Sequence, residues 1–160
     1  SHLKPGIGWI EHLEIDMYPR CDDCSIPQNS QLMNWMHYIM EATAAFHRPL
    51  AYNPATYQML KERGFVDINE KVINVPFNTW KIDAFSKEIG RWYKLGLTQG
   101  LEALTLAPMT RIRGWKKLDV DHIVEEAERE ICSTKIHAYC QLHIWTARRP
   151  SCTAAAFYAT

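Results

Sequence analysis

The 160-residue sequence holds no apolar run long enough to span a bilayer as a helix, so a membrane protein of that kind is not expected. Neither sign of charge is in excess, with 18 basic against 18 acidic residues. Without a basic face, nucleic acid is not an expected partner. No signal peptide is recognisable before the first predicted strand, and the cysteine count is odd, at five. Together these predict reduced thiols in a cytosol-like compartment, and a cytoplasmic location is the expectation. No internal repeat or low-complexity segment is visible. No Gly-x-Gly lies between a strand and a helix; Gly6 and Gly8 form that spacing, but ahead of the first strand.

What is present is apolar and aromatic. Hydrophobic residues make up 47% of the chain, enough for a real core, and the length suits one domain. Six Trp, seven Tyr and six Met suit either a core or a pocket for an apolar ligand. The first predicted strand is Gly8 to Asp16, with Ile10, His12, Glu14 and Asp16 on one face. Its polar groups gather toward the C-terminal end, where open α/β sheets bind ligands. A helix is predicted from Ser30 to about Arg48, on the spacing of Leu32, Trp35, Met36, Ile39 and Phe46. A short helix follows, capped by Asn53, begun by Pro54 and ended by Gly64. Val66 to Phe77 reads as a second strand that changes face near Glu70-Lys71, as one extra residue would cause. A long helix is predicted from Ser86 to about Leu106, interrupted at Pro108, and a further one from about Asp119 to Cys132. Ile136 to Thr146 alternates cleanly as a last strand. Ile136, Ala138, Cys140, Leu142 and Ile144 form its apolar face; His137, Tyr139, Gln141, His143 and Trp145 form the other. Residues 1–147 are read as one domain and 148–160 as a C-terminal tail.

Several segments resemble a known family. "LKPGIGWIEHLEID" followed by "PRCDD" is similar to the fifth strand of class I S-adenosylmethionine methyltransferases. The likeness is nearest to the fungal LaeA-type methyltransferase-domain proteins of secondary metabolism. "EIGRWYKLGLTQGLEALTLAP", "RIRGW" and "KIHAYCQLHIW" resemble the C-terminal half of that group. The resemblance implies a truncated methyltransferase-like fold: α/β, about three strands of a partly antiparallel sheet packed with four to five helices. It implies that the half holding the methyl donor is not in this chain, because the glycine-rich loop of that half has no counterpart here. No cofactor is therefore expected, and S-adenosylmethionine only if a partner supplies the other half. The first strand is left with an open edge, which predicts a homodimer or a strand exchange.

The family usually has glycine after "CDD", where this chain has Cys24, creating Cys21-x-x-Cys24. Zinc would need two more ligands. His137 and Cys140 are the nearest candidates, but three apart on a strand they face opposite ways. The pair is read as incidental and no metal is expected.

Catalytic candidates are His12, Glu14 and Asp16 on the first strand and His137 on the last, since carboxylates and imidazole can move protons near neutral pH. Tyr139 and His143 continue the stripe of His137 as substrate-binding candidates. Under the resemblance the long helix caps a substrate site, so Trp92, Tyr93 and Leu97 would line an apolar pocket, with Arg91 a further substrate-binding candidate on that helix and Trp35, Tyr38 and Glu41 facing it from the first helix. The expected function is a methyltransferase-like protein repurposed as a cyclase, isomerase or dehydratase. Its expected substrate is an apolar small molecule of secondary metabolism. A fragment or partner-dependent subunit of a genuine methyltransferase, and a non-catalytic binding subunit, are the alternatives.

Overall fold

A computed structural model describes residues 2–151. The order of elements is β1 (Trp9–Arg20), α1 (Gln31–Ala45), α2 (Thr56–Glu62), β2 (Val66–Pro76), α3 (Ala84–Ala107), a π-helical turn (Pro108–Ile112), α4 (Lys117–Cys132) and β3 (Tyr139–Arg148). The strands form one sheet in the order β1-β3-β2. β3 runs antiparallel to both neighbours. Arg149 N–H bonds Gly8 O at 2.8 Å, where β1 begins and β3 has just ended, and Phe77 N–H bonds Ala138 O at 3.0 Å, past the end of β2 and just before β3. This is the expected α/β fold with a partly antiparallel three-stranded sheet. Among the described residues no helix is long and apolar enough to cross a membrane.

Two compact units share the strands. The larger comprises residues 17–51 and 74–141. Its core is built from helical stripes: Leu32, Trp35, Met36 and Ile39 of α1, Leu97 and Leu101 of α3, and Val120, Ile123, Ala127 and Ile131 of α4, all buried. Each such side chain removed from water contributes roughly 1.5–3 kcal/mol. Ser30 caps α1, its hydroxyl accepting Met33 N–H at 3.2 Å. Asp83 caps α3, accepting Ser86 N–H at 2.7 Å. Pro108 ends the regular α-hydrogen bonding of α3, and the chain continues as the π-helical turn.

The smaller unit comprises, among described residues, 2–16, 52–73 and 142–151. Here α2 begins at Thr56 rather than Pro54. Asn53 Oδ1 accepts Ala55 N–H at 3.0 Å in a turn, instead of capping the helix. Gly64, at φ +79°, follows the end of α2 as expected.

Two strand readings are corrected. β1 does not end at Asp16 but continues through Pro19 to Arg20. The buried positions of β3 also change parity. Ile136, Ala138 and Cys140 are buried, but beyond Leu142 the buried residues are His143, Trp145 and Ala147. The cause is local. In the smaller unit Tyr52 stacks on His143 at 3.9 Å, and Tyr57 lies 6.4 Å from Trp145. β2 changes parity too: Val66 and Ile68 are half-buried, Asn69 to Val72 are exposed, and Ile73 and Val75 are covered. Of the predicted tail, Arg148 belongs to β3, and residues 152–160, with Cys152, lie outside the described residues.

Candidate functional site

With β1 extended to Arg20, the C-terminal end of that strand is the turn Cys21–Ser25. In mostly parallel α/β sheets, the kind that the sequence resemblance implies, that end is the ligand side. The turn is built by its own polar groups. Asp23 Oδ1 accepts Ser25 N–H at 3.1 Å and the Cys21 thiol at 3.1 Å. Ser25 N–H also reaches Cys21 Sγ at 3.1 Å. Cys24 holds φ +58°, a left-handed conformation that glycine adopts without strain. That conformation is a physical reason for the glycine usual after "CDD".

This turn meets the start of β3 within the larger unit. Asp23 Oδ2 lies 2.5 Å from His137 Nδ1, and His137 N–H donates to Ser25 Oγ at 2.8 Å. The imidazole stacks on Trp80, with ring centres 4.8 Å apart and planes 22° apart. Trp80 is fixed by its indole N–H bond to Ala138 O at 3.0 Å, and Lys81 Nζ lies 4.4 Å from its ring centre. Beside this, Tyr139 donates its hydroxyl to Asp22 at 2.7 Å. Two carboxylates on one turn thus hold an imidazole and a phenol.

The charges follow from these bonds. The Cys21 thiol, then His137 and Ser25, hold the Asp23 carboxyl well below the usual carboxylate range, so it is ionised at working pH. The bond to Asp22, then burial, pushes the Tyr139 phenol above its ordinary value, so it remains a neutral donor. With Nδ1 engaged by Asp23, Nε2 is the imidazole nitrogen available to exchange a proton. Orienting an imidazole with a carboxylate against an aromatic wall is one way to build a general base.

The corner that carries His137 is fixed by Asn78. Its amide donates to Ile131 O at 2.9 Å and Ser133 O at 3.1 Å, at the end of α4, and to Ile136 O at 3.4 Å. Asn78 in turn packs against α3 at Gly90, where a Cβ would stand 2.0 Å from Asn78 O.

No protein-family model matches the chain. Curated relatives do. The chain is 57% identical over 151 residues to the secondary metabolism regulator LAE1 of Cochliobolus heterostrophus, covering 94% of this chain and 49% of that protein. It is 40% identical to LAE1 of Gibberella fujikuroi, with 94% and 48% covered, and 36% identical to the secondary metabolism regulator laeA of Aspergillus fumigatus, with 94% and 40% covered. The chain's homologues are LaeA-type secondary metabolism regulators. The chain spans about half the length of the curated relatives it matches.

Within this LaeA-like chain the sequence-predicted residues separate. His137 and Tyr139 meet in the site above. His12, Glu14 and Asp16 belong to the smaller unit, in the body of β1 rather than at its end. Glu14 is an anchor there: its carboxylate accepts Asn53 N–H at 3.0 Å and the Thr56 hydroxyl at 3.4 Å, tying down the start of α2. His12 is exposed, 3.7 Å from Glu14. His143 is not on an open stripe but 7% exposed, its Nδ1 2.6 Å from Glu70.

Trp35 is a correction: it is 1% exposed and donates its indole N–H to Thr105 at 2.8 Å, so it belongs to the core and lines no pocket. Tyr38 meets Trp115 edge-on at 5.0 Å, and both line a cavity of about 600 Å³ with Leu118, His122 and Glu125. Glu41 pairs with Arg113 and, at 3.1 Å, with His37. Trp92 and Tyr93 line a second cavity of about 370 Å³ with Val75, Phe85 and Ile89. Burial and neighbouring Cys140 push the Tyr93 phenol far above its ordinary value. Arg91 is exposed and pairs with Glu88 at 3.4 Å.

Sequence reasoning missed Asp22, Asp23, Ser25, Trp80 and Asn78 as site residues. The available signal was the acidic pair directly after a strand.

Among the described residues no group of three or more His, Cys, Asp or Glu is arranged to hold a metal ion. A Cβ at Gly8 would meet Lys4 N and O at 2.8 Å, so Gly8 serves the close turn before β1.

Proposed function

We propose that this chain supplies the proton-handling part of a methyltransferase-like regulator of secondary metabolism, with the Asp23–His137 pair as general base. The observation that carries the reading is the 2.5 Å Asp23–His137 contact at the C-terminal end of β1, on the wall made by Trp80. In this reading an acceptor hydroxyl or amine gives its proton to His137 Nε2 as it becomes nucleophilic, and Asp23 stabilises the resulting imidazolium. Tyr139 orients the acceptor by its phenol. No step in this reading is routed through a methyl donor. The relatives' names supply the regulatory role and the field of metabolism. The resemblance of "GWIEHLEID" and "PRCDD" to a methyltransferase strand supplies the chemistry.

The expected cyclase, isomerase or dehydratase draws no support from this geometry. Neither cavity described above is lined by His137 or Tyr139. A half-exposed base on a turn suits an acceptor group presented on a larger molecule better than an apolar metabolite enclosed in a pocket. β1 is an edge strand of the sheet as described, with Trp9, Leu13 and Ile15 exposed, which supports covering by further polypeptide, a second copy included.

The test is a graft. Residues 2–151 replace the matching half of Cochliobolus heterostrophus LAE1 in a strain lacking its own copy, and secondary-metabolite output is measured. The graft restores output, and His137→Gln or Asp23→Asn lowers it by about tenfold or more, in the range of a lost general base. Full output from both variants at equal protein levels sinks the reading.

A further inference from the structure

We propose that Cys21 and Cys24 form a reversible dithiol–disulfide couple that switches the Asp23–His137 pair. The proposal rests on the function assigned above to that pair. Sequence reasoning took Cys21-x-x-Cys24 as incidental because it lies in a loop. The structure ties it to the site. Cys21 Sγ bonds the same carboxylate that holds His137, 3.1 Å from Asp23 Oδ1, while Asp23 Oδ2 reaches the imidazole. Thiol, carboxylate and imidazole are therefore joined in series.

Three observations make the pair a redox site. Both cysteines are free thiols, Cys24 exposed and Cys21 half-buried, so an oxidant has access. Cys21 Sγ lies 3.1 Å from the backbone nitrogen of Ser25, which is bonded directly to the carbonyl carbon of Cys24. The Cys21 sulfur is thus already beside the peptide unit that joins Cys24 to Ser25. Ser25 also places its hydroxyl 3.4 Å from that sulfur, so the Cys21 sulfur is held in the turn from two sides.

The step balances with glutathione disulfide as the oxidant. The Cys24 thiol gives up its proton, and its thiolate attacks the glutathione disulfide. The S–S bond of that reagent breaks and one glutathione leaves as a thiol. The Cys21 thiolate then attacks the mixed disulfide, releasing the second glutathione. Two thiols are oxidised, two glutathione sulfurs are reduced, and the two protons pass to the departing thiols. Once bonded to Cys24, Cys21 has no S–H to donate. Asp23 loses its first stabilising partner, and the turn that aims it at Nδ1 is drawn closed on the other side. The oxidised site therefore holds His137 less firmly.

The experiment uses the full 160-residue chain equilibrated in glutathione buffers of varied ratio. The tryptic peptide 21–61 contains Cys21 and Cys24 and no other cysteine. It is expected to become lighter by two hydrogens as the buffer is made oxidising. In parallel, ¹⁵N ring signals of His137 report the tautomer, which in the reduced chain is held Nδ1–H by Asp23 and on oxidation shifts toward Nε2–H by about threefold or more. Cys24→Gly keeps the Cys21–Asp23 bond, and its ring signals stay unchanged in the same buffers. A peptide that keeps both thiols in excess glutathione disulfide overturns the proposal. So does a disulfide that forms and leaves the His137 signals where they were. The two readings fail separately. If His137→Gln abolishes graft output while the thiols resist oxidation, only the switch is lost. If the switch moves His137 but His137→Gln leaves output intact, the catalytic reading falls and the couple remains.

Discussion

Removing the Glu130 carboxylate should unlock the N-terminus of α1. Glu130 sits on α4 and gathers three donors from the other helix: the Ser30 hydroxyl at 2.5 Å, Gln31 N–H at 2.9 Å and Leu32 N–H at 3.1 Å. Ser30 is 2% exposed, so water cannot replace its lost acceptor. Helix N-termini carry unpaired N–H groups and a positive dipole end, and an anion placed there answers both. Each hydrogen bond to a charged group is worth about 1.5–3 kcal/mol, but bonds to one carboxylate are not additive. Glu130→Ala should therefore cost about 3–4 kcal/mol in all, and Glu130→Gln, which keeps one acceptor oxygen, about half of that. For a chain of this size each kcal/mol lowers Tm by about 2–4 °C. The alanine variant should then melt about 6–16 °C lower when followed by circular dichroism. Glu128→Ala, at an exposed position on the same helix, is the control and should change stability by less than about 0.5 kcal/mol. If Glu130→Ala matches that control, the carboxylate is not holding the two helices together and the account of α1 is wrong.

Cys24→Gly should stabilise the chain by about 0.5–1 kcal/mol, because φ +58° strains any residue with a Cβ; urea unfolding that shows a loss would contradict the strain argument. Tyr52 should ionise late: burial and its bond to Glu70 push the phenol up to about 12. A raised value means that its contribution to stability is complete below the ordinary tyrosine range and fades as pH rises through about 12. Absorbance titration should therefore lose one high-pH tyrosinate step in Tyr52→Phe, and an unchanged titration curve would refute the assignment. Gly90→Ala should cost about 3 kcal/mol or more, since its Cβ would stand 2.0 Å from Asn78 O. Gly100→Ala, on the same helix with nothing within 4 Å, should gain about 0.5–1 kcal/mol, and equal melting points for the two would show that α3 does not press on Asn78.

What the sequence made legible was whatever depends on near neighbours. Leu32, Trp35, Met36 and Ile39 and the face Ile123, Ala127, Ile131 are buried as their spacing implies, whereas Phe46, the last of the predicted stripe, follows the end of α1 and is exposed. Gly64 and Pro108 end their helices for reasons local to those residues. β1 ran further than its residues suggested because Pro19 and Arg20 look like loop, yet an edge strand tolerates a residue with no N–H. The parity change in β3 was hidden because alternation names two faces and not which one is covered at each end. In the smaller unit Tyr52 and Tyr57 do the covering, and no period in the sequence places them there. The site partners were hidden by distance along the chain: Asp23 and His137 are 114 residues apart, and Asp22 and Tyr139 are 117 apart.

One boundary moved the candidate site. Ending β1 at Asp16 puts His12, Glu14 and Asp16 at its C-terminal end. Ending it at Arg20 puts Asp22 and Asp23 just beyond it, and leaves Glu14 to anchor α2. The acidic turn then has no choice of imidazole, because Asn78 fixes the end of α4 and Ile136 together, so that the next residue is His137. Asn78 can stand there only because Gly90 leaves room for its carbonyl. His137 is thus held by contacts that a search for catalytic residue types would pass over: an amide, a glycine and a thiol. A substitution at any of them should move His137 without touching it, and that indirect control separates a built site from a chance meeting of charges on the surface.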